Sequence, residues 1–284
     1  MPETMRIDAY PPQEPVPDVA RALHERLMTL AQGIEGHEHI YGDDPSQSLT
    51  VYPCARRGGP VLLFLHGGGW TNGYKEEMAF LAPPLNAAGF TLVSSSYRLA
   101  PKHVFPANFD DVADAVTLVW NLAETHGYDR DALFIGGHSA GGHLASLLAA
   151  RADWQTSRGL PEDVIKGCLP ISGTYDFTPG SGSSVRPRFL GPPGVFAEVH
   201  ASPVFQIGDH VPPFFITYGS QDLPHLMVQA EKFAMVARSK GVGVEMLEVD
   251  GASHATVLLM AADIDKPWLA SAARWMRGIL HNSW

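Results

Sequence analysis

Residues 132–145 have the sequence ALFIGGHSAGGHLA, and this stretch decides the fold. The apolar run at 132–135 predicts a buried strand, and the residues over 140–151 predict a helix. Between them lies the G-x-S-x-G turn of residues 137–141, with Ser139 at its centre. A strand–serine–helix turn of this kind is so tight that glycines occupy its outer positions, and it lifts the serine oxygen above the sheet. The pattern therefore predicts Ser139 as a nucleophile.

A second glycine-rich motif, HGGGW at 66–70, follows the apolar run VLLFL at 61–65. Acyl transfer creates an oxyanion, and backbone N–H groups are its usual donors. Three consecutive glycines let the backbone approach that oxygen closely and adopt dihedrals closed to other residues. We predict that the backbone N–H groups of Gly68, Gly69 and Ala140 form an oxyanion hole.

A serine nucleophile needs a histidine base and an acid that orients it. Asp222 and His254 each follow a late apolar run, and the chain order Ser, Asp, His is the one that this turn type requires. Asp250 is the nearest rival acid, but it lies too close to His254 in sequence. His281 is a rival base that we expect to be solvated. The sequence therefore predicts a triad of Ser139, His254 and Asp222.

The rest of the chain alternates between short apolar runs and helical patterns. Continuous runs of this kind predict strands that are covered on both faces, and alternation with helices predicts a mostly parallel sheet. The runs lie at 61–65, 91–95, 132–135, 168–171, 214–217 and 244–249, with two further strands predicted over 37–54 and helices over 18–32, 107–125, 140–151, 224–239 and 266–280. We predict the α/β class, one domain over 1–284, and a small lid from residues 1–35 and 174–205.

Composition and charge exclude several classes of partner. The formal net charge is −10 and the basic residues are scattered, so we expect no nucleic-acid partner. No apolar run approaches the ~20 residues of a membrane span, and the amino terminus lacks the pattern of a signal peptide. We therefore expect a cytoplasmic protein that acts on a small molecule. The oligomeric state stays open, with a homodimer as one option.

Residues with metal-binding side chains do not follow a diagnostic spacing. His37 and His39 would share one face of a strand, but no third ligand accompanies them, and H-E-x-x-H is absent. The two cysteines, Cys54 and Cys168, do not form a C-x-x-C pair, and we expect buried free thiols. The sequence predicts no metal and no cofactor.

Four ordered motifs resemble those of a known family. They are HGGGW, YRLAPKHVFPA at 97–107, GHSAGG, and the late Asp222 and His254. Together they resemble the hormone-sensitive-lipase-like esterases of the α/β-hydrolase superfamily, over residues 37–284. The resemblance implies the α/β-hydrolase fold, with a central mostly parallel sheet flanked by helices. It also implies the same roles for the two oxyanion glycines, the elbow serine, the acid and the base.

The resemblance leaves the substrate open, because several positions depart from the family pattern. His138 stands where the family has an acidic residue, and Lys102 and Val104 stand where it has Glu and Pro. The segment ISGTYDFTPG at 171–180 is similar to the arylformamidases, which hydrolyse N-formylkynurenine. We therefore favour a carboxylesterase for short acyl chains that forms an acyl-enzyme, with an arylformamidase or a non-catalytic ligand-binding relative as alternatives.

Three residues near the motifs are predicted to line the substrate pocket. Trp70 closes the first glycine motif, His138 precedes the nucleophile, and Tyr218 lies on the strand before the predicted acid. Ligand pockets are commonly lined by aromatic side chains with a few polar groups. The aromatic residues suit an ester or a formamide substrate equally.

Overall fold

The computed structural model of the chain describes residues 7–16, 18–182, 186–193 and 196–281. In this part of the chain eight strands form one sheet, in the order β1-β2-β4-β3-β5-β6-β7-β8. The strands are β1 His37–Ile40, β2 Ser48–Tyr52, β3 Gly59–Leu65, β4 Thr91–Ser95, β5 Tyr128–His138, β6 Gly167–Ile171, β7 Phe214–Gln221 and β8 Val244–Ser253. β2 pairs antiparallel with both β1 and β4, and all other pairs are parallel. The predicted mostly parallel sheet is confirmed.

Helices cover both faces of this sheet, which explains why its central strands are apolar at consecutive positions. Every residue of β4 and β6 is buried. The helices are α1 Asp18–Ala31, α2 Ala82–Ala87, α3 Ala107–His126, α4 Ala140–Ala150, α5 Ala197–Ala201, α6 Pro224–Ser239, α7 His254–Met260 and α8 Pro267–His281. One apolar core includes side chains of α3, α4 and α6, and the other includes side chains of α1, α2 and α8.

Local signals set the helix ends. Proline suits the first turn of a helix because its missing N–H would have no partner there, and α6 begins at Pro224. Glycine suits the residue after a helix because it adopts positive φ without strain, and Gly127 follows α3 with φ 73°. A 3₁₀ helix, Lys75–Leu81, lies between β3 and α2, in a region for which no element was predicted.

The described residues before α1, residues 7–16, begin with a short 3₁₀ helix, Ile7–Ala9, and continue without regular secondary structure; we call them the N-terminal strap. Tyr10 of the strap accepts a hydrogen bond of 2.6 Å from the Lys75 ammonium, which also donates to Glu38 and Glu76 at 2.8 and 2.7 Å. Lys75 is only 1% exposed, and a buried ammonium is tolerated when it is paired and hydrogen-bonded. The strap is therefore tied to the 3₁₀ helix by a buried polar cluster.

Parallel strands bring the predicted site to one edge of the sheet. The glycine motif follows β3, Ser139 follows β5, Asp222 follows β7 and His254 follows β8, each at the residue directly after the strand. The carboxyl ends of parallel strands meet at one edge, which is where open α/β sheets place their ligands. No helix within the described ranges combines the length and the apolar character needed to cross a membrane.

Candidate active site

The turn at Ser139 has the strained geometry that the sequence predicts. Ser139 adopts φ 53° and ψ −116°, a backbone conformation that non-glycine residues rarely adopt. A Cβ on Gly137 would lie 2.5 Å from the carbonyl carbon of Gly141, and a Cβ on Gly141 would lie 2.3 Å from the backbone oxygen of Leu65. Only glycine fits either position. The strain lifts the Ser139 hydroxyl clear of the strand and turns the chain at once into α4.

A continuous chain of hydrogen bonds joins the three predicted triad residues. His254 Nε2 lies 3.0 Å from Ser139 Oγ, and His254 Nδ1 lies 2.8 Å from Asp222 Oδ1. With an N–H on Nδ1 donating to the carboxylate, Nε2 is free to accept the serine proton. The rival acid Asp250 is exposed and contacts Ser220, and the rival base His281 is exposed.

Asp222 is held in its ionised form by several donors. Burial alone would raise its pKa, but hydrogen bonds from His254, the Ser172 hydroxyl and the Leu223 backbone N–H, together with the charge of His254, lower the pKa to about 2. The Leu223 N–H donates at 2.7 Å to Oδ1, and Ser172 donates to Oδ2. The sequence analysis missed Ser172. Its position in the sequence could have indicated it, because Ser172 directly follows β6, and β6 lies beside β7, the strand that precedes Asp222.

The glycine motif forms a tight turn beside the nucleophile. The backbone N–H groups of Thr71 and Asn72 both donate to Gly68 O, at 3.1 and 2.9 Å, while Gly68 and Gly69 take φ of 106° and 60°. Within the described ranges no acceptor engages the N–H of Gly68 or Gly69. Ala140 is the first residue of α4, and helix N–H groups at that position have no partner inside the helix. These groups remain available to an anionic oxygen.

His138 supports the base through the backbone. Its Nε2 lies 2.8 Å from His254 O, and burial, followed by the charge of His254, lowers the His138 pKa to about 3. The ring is therefore neutral near pH 7 and donates Nε2–H to that carbonyl. This contact fixes the backbone that carries the His254 ring.

A cavity of about 620 Å³ opens above Ser139. Its lining includes Ser139, His254 and His138 at the active-site edge of the sheet, together with residues of the strap, α1 and the 3₁₀ helix. The residues that line it are Gln13, Val16, Ala20, Leu23, His24, Leu27, Gly67, Gly68, Gly69, Thr71, Asn72, Gly73, Tyr74, Glu77, Met78, His138, Ser139, His254 and Leu258. The predicted pocket residue His138 therefore lines the cavity.

The other two predicted pocket residues lie elsewhere. Trp70 is 7% exposed, stacks on Phe189 and donates from Nε1 to the buried His143 at 3.0 Å. Tyr218 is 6% exposed and donates to Glu231 at 2.7 Å. Neither lines the cavity, so assigning them to the pocket was wrong. Both are large aromatic side chains near the motifs, and both pack in the core.

The two predicted lid segments differ in position. Residues of the 1–35 segment line the cavity, from Gln13 to Leu27. From the 174–205 segment, none of the described residues 174–182, 186–193 and 196–205 lines it. The latter segment instead contributes buried aromatic side chains to the core that contains Trp70 and α4. Residues 1–6, 17, 183–185 and 194–195 of the two segments lie outside the described residues.

The strap also holds the glycine motif. Gln13 makes a reciprocal pair of hydrogen bonds of 2.9 Å with the backbone N–H and C=O of Gly73. Asn72 donates from Nδ2 to the Glu14 carbonyl at 2.5 Å. The same loop thus bears the candidate oxyanion donors on one side and the strap on the other. The sequence offered no signal for these contacts, because the partners lie about 60 residues apart.

Histidines outside the site form their own cluster. His39 Nε2 lies 2.8 Å from His126 Nε2, and the His37 ring lies 5.2 Å from the His126 ring. In the described part of the chain no group of three histidine, cysteine or acidic side chains has a geometry that suits a metal ion. Cys54 and Cys168 are both free thiols.

Known proteins share the sequence and the fold. The BD-FAE family model matches residues 50–235. Esterase LipC of Mycobacterium tuberculosis is 32% identical, over 89% of this chain and 66% of its own length, and kynurenine formamidase of Salmo salar is 27% identical, over 85% and 81%. The crystal structure of EstE1, a thermostable carboxylesterase cloned from a metagenomic library, superposes with a TM-score of 0.74 at 23% identity, over 93% of this chain and 97% of that one.

These matches identify the fold, and they also show that this chain corresponds to only part of two of its relatives. The chain spans about two thirds of LipC, and it spans 56% of esterase LipQ from the same organism, to which it is 30% identical. The likeness to EstE1 confirms that the predicted α/β-hydrolase fold is correct.

Proposed function

Since the chain belongs to the BD-FAE family, we propose that it is a serine hydrolase that cleaves carboxylic esters. The observation that carries this proposal is the hydrogen-bonded chain from Ser139 through His254 to Asp222, which opens into a cavity beside unpaired backbone N–H groups. Nucleophile, base, orienting acid and oxyanion donors are the parts that acyl transfer needs. The similarity to mycobacterial esterases supports the same chemistry.

The geometry supports a reaction in two stages. His254 Nε2 removes the proton of Ser139 as its oxygen attacks the ester carbonyl, and the backbone N–H groups of Gly68, Gly69 and Ala140 stabilise the resulting oxyanion. The protonated ring then gives its proton to the leaving alcohol, and an acyl-enzyme remains. Water repeats the cycle and releases the acid. Asp222 holds the Nδ1–H tautomer and stabilises the positive ring.

A preference for short acyl chains is the finer part of this proposal. The strap and α1, which contribute residues to the lining of the cavity, are short segments, and the sequence contains no long apolar insertion that could shelter a lipid chain. We propose that four-carbon acyl groups are hydrolysed more efficiently than twelve-carbon groups. The measurement is kcat/KM for p-nitrophenyl esters of increasing length. A higher value for the twelve-carbon ester than for the four-carbon ester would contradict the proposal.

Formamide hydrolysis is the second candidate, and the similarity to kynurenine formamidase of Salmo salar favours it. N-formylkynurenine is an amino acid and carries both an ammonium group and a free carboxylate. Among the described residues that line the cavity, none is lysine or arginine, so no fixed positive charge is available to pair with that carboxylate. We therefore rank esters first. Adding N-formylkynurenine to the same substrate panel distinguishes the two activities.

A ligand-binding relative without catalysis is the remaining alternative. Such a protein would not react with a fluorophosphonate, whereas an active serine hydrolase is labelled. We expect a single adduct on Ser139, located by mass spectrometry, and no adduct in Ser139→Ala. The expectation of a cytoplasmic protein that acts on a small molecule, without nucleic acid, membrane or metal, stays a prediction.

A further inference from the structure

Gln13 of the strap binds the oxyanion loop, residues 66–73, through both ends of its side-chain amide. Nε2 donates to the carbonyl oxygen of Gly73, and Oε1 accepts from the Gly73 N–H, both at 2.9 Å. The donor and the acceptor of a side-chain amide lie in one plane, so the pair holds the backbone on both sides of Gly73 in one orientation. Neither the triad nor the set of oxyanion donors includes Gln13.

The peptide that joins Asn72 to Gly73 contacts Gln13 at one end and Gly68 at the other. Its N–H donates to Gln13 Oε1. Its carbonyl oxygen lies so close to Gly68 that a Cβ on Gly68 would be 2.0 Å away from it. A peptide unit is planar and moves as a whole. Rotation of this peptide would therefore displace the oxygen that packs against the backbone of Gly68.

The first residues of the loop are fixed by the core. Gly73 has φ 105°, and a Cβ there would lie 2.4 Å from Nδ1 of His66 and 2.6 Å from the carbonyl oxygen of Gly67. The His66 ring is buried and stacks on that of Tyr97, with ring centres 4.4 Å apart. The core thus holds the start of the loop, and Gln13 holds its end at Gly73.

The strap is itself anchored on both sides of Gln13. Before it, the Tyr10 hydroxyl accepts the hydrogen bond from buried Lys75 and also lies 3.3 Å from Ser96 Oγ. After it, the carboxylate of Glu14 forms an ion pair with Arg188 of the 174–205 segment. A side chain on an anchored segment is presented in one geometry, which is what the support of a reactive site requires.

The oxyanion loop needs support of this kind because glycine is its main component. Glycine adopts many backbone conformations at little cost, and Gly68, Gly69 and Gly73 all have positive φ. An oxyanion hole stabilises the transition state only when its donors are in place before the negative charge develops. Contacts from outside the loop must therefore restrict it, and the pair of hydrogen bonds from Gln13 does so.

We propose that Gln13 is a positioning residue for the oxyanion hole. By fixing the peptide between Asn72 and Gly73, it holds the N–H groups of the loop glycines where the oxyanion forms. This inference rests on the proposed ester hydrolysis, and it adds a residue of the strap to the groups on which the rate depends. Gln13 acts through the loop and not on the reacting atoms, so its loss should lower kcat much more than it changes KM.

Two measurements distinguish positioning from a purely structural role. The first is kcat and KM for p-nitrophenyl butyrate. The second uses 1,1,1-trifluorohexan-2-one labelled with ¹³C at its carbonyl. The Ser139 oxygen adds to this carbon, the serine proton passes to His254, and the ketone oxygen becomes an oxyanion. A pH titration of the ¹³C signal gives the pKa of that oxygen, which correctly placed donors lower and a mere tether of the strap would not change.

Gln13→Met removes both hydrogen bonds and keeps the length of the side chain. It should lower kcat by on the order of tenfold to a hundredfold, less than the loss of a donor because the loop N–H groups remain, with KM within about threefold. The pKa of the adduct oxygen should rise. Gln13→Asn keeps the amide but is too short to make both bonds, and it should act in the same direction. Gln32→Met is the matched control, because Gln32 is exposed and lies outside the cavity lining.

The outcomes separate this inference from the proposed function. An unchanged pKa of the adduct oxygen in the folded Gln13 variants overturns the inference and leaves ester hydrolysis standing, and so does a loss confined to KM. If Gln13→Met does not fold, Gln13→Asn decides. Unfolding of both variants would assign Gln13 a structural role and would overturn the inference as well. If the wild type neither hydrolyses the ester nor forms the ketone adduct, the proposed function has failed, and this inference with it.

Discussion

The two glycines of the candidate oxyanion loop provide a sharp test, because they should respond differently to the same substitution. In Gly68→Ala the new Cβ would lie 2.0 Å from the carbonyl oxygen of Asn72, at φ 106°. Ordinary contact begins near 3.4 Å, so the loop must move by more than 1 Å. In Gly69→Ala the nearest atom is Thr71 Oγ1 at 3.9 Å, and only the left-handed φ of 60° is unfavourable.

The magnitudes follow from these geometries. Displacing an oxyanion donor, or misplacing a site by 1 Å, costs on the order of 10²–10³ in rate. We therefore expect Gly68→Ala to lower kcat by about that factor. Gly69→Ala keeps its N–H in place, so its main effect should be a loss of about 1–2 kcal/mol in the free energy of unfolding, with kcat within roughly tenfold of the wild type.

The assay is steady-state hydrolysis of p-nitrophenyl butyrate, with thermal unfolding and near-UV circular dichroism to verify that both variants are folded. The decisive quantity is the ratio of the two kcat values. Equal losses in the two folded variants, or the greater loss in Gly69→Ala, would show that the loop does not position the donors as described.

Three further results are expected. Ser139→Ala and His254→Ala should each lower kcat by on the order of 10⁶, Asp222→Asn should lower it less, and the losses should not add in the double mutant; near-normal turnover in His254→Ala would mean that the base is assigned wrongly. Because the Asp222 pKa is depressed to about 2, its ionised form stabilises the fold above its unfolded value of 3.8, and this contribution is lost as the pH falls toward 2. Ser172→Ala should raise that pKa, so the fall in melting temperature below pH 3.8 should be smaller and should end at a higher pH than in the wild type, and coincident pH curves would contradict this. Turnover should survive a chelator, and loss of activity that a divalent ion restores would contradict metal independence.

The sequence predicted the features that depend on neighbours along the chain. The tight turn at Ser139 needs adjacent glycines, and the chain order of acid and base is set by strand connections, so both were visible as motifs. The strands and helices were visible as apolar runs and stripes. Each of these signals depends either on residues that are close together in sequence or on the strand order of the one fold that the motifs indicate.

Features that join distant segments were not predictable in this way. The hydrogen bond between His24 of α1 and Glu77 of the 3₁₀ helix depends on how these two helices pack against each other. No local sequence pattern predicts that packing. The same reason explains why the pocket assignment of Trp70 was wrong. An aromatic side chain beside a motif is equally suited to a pocket and to a core. Trp70 lies in the core because aromatic residues of the 174–205 segment pack against it.

The strap and α1 lie outside the 50–235 span that the BD-FAE model matches, yet they contribute residues to the cavity that opens above Ser139. The same strap binds the candidate oxyanion loop, because Gln13 and Glu14 accept or donate hydrogen bonds with Gly73 and Asn72. Replacing the amino-terminal segment with that of a relative would therefore change the lining of the cavity and the support of the oxyanion loop together. Such a graft can alter selectivity alone only if it keeps the hydrogen bonds to Gly73 and Asn72.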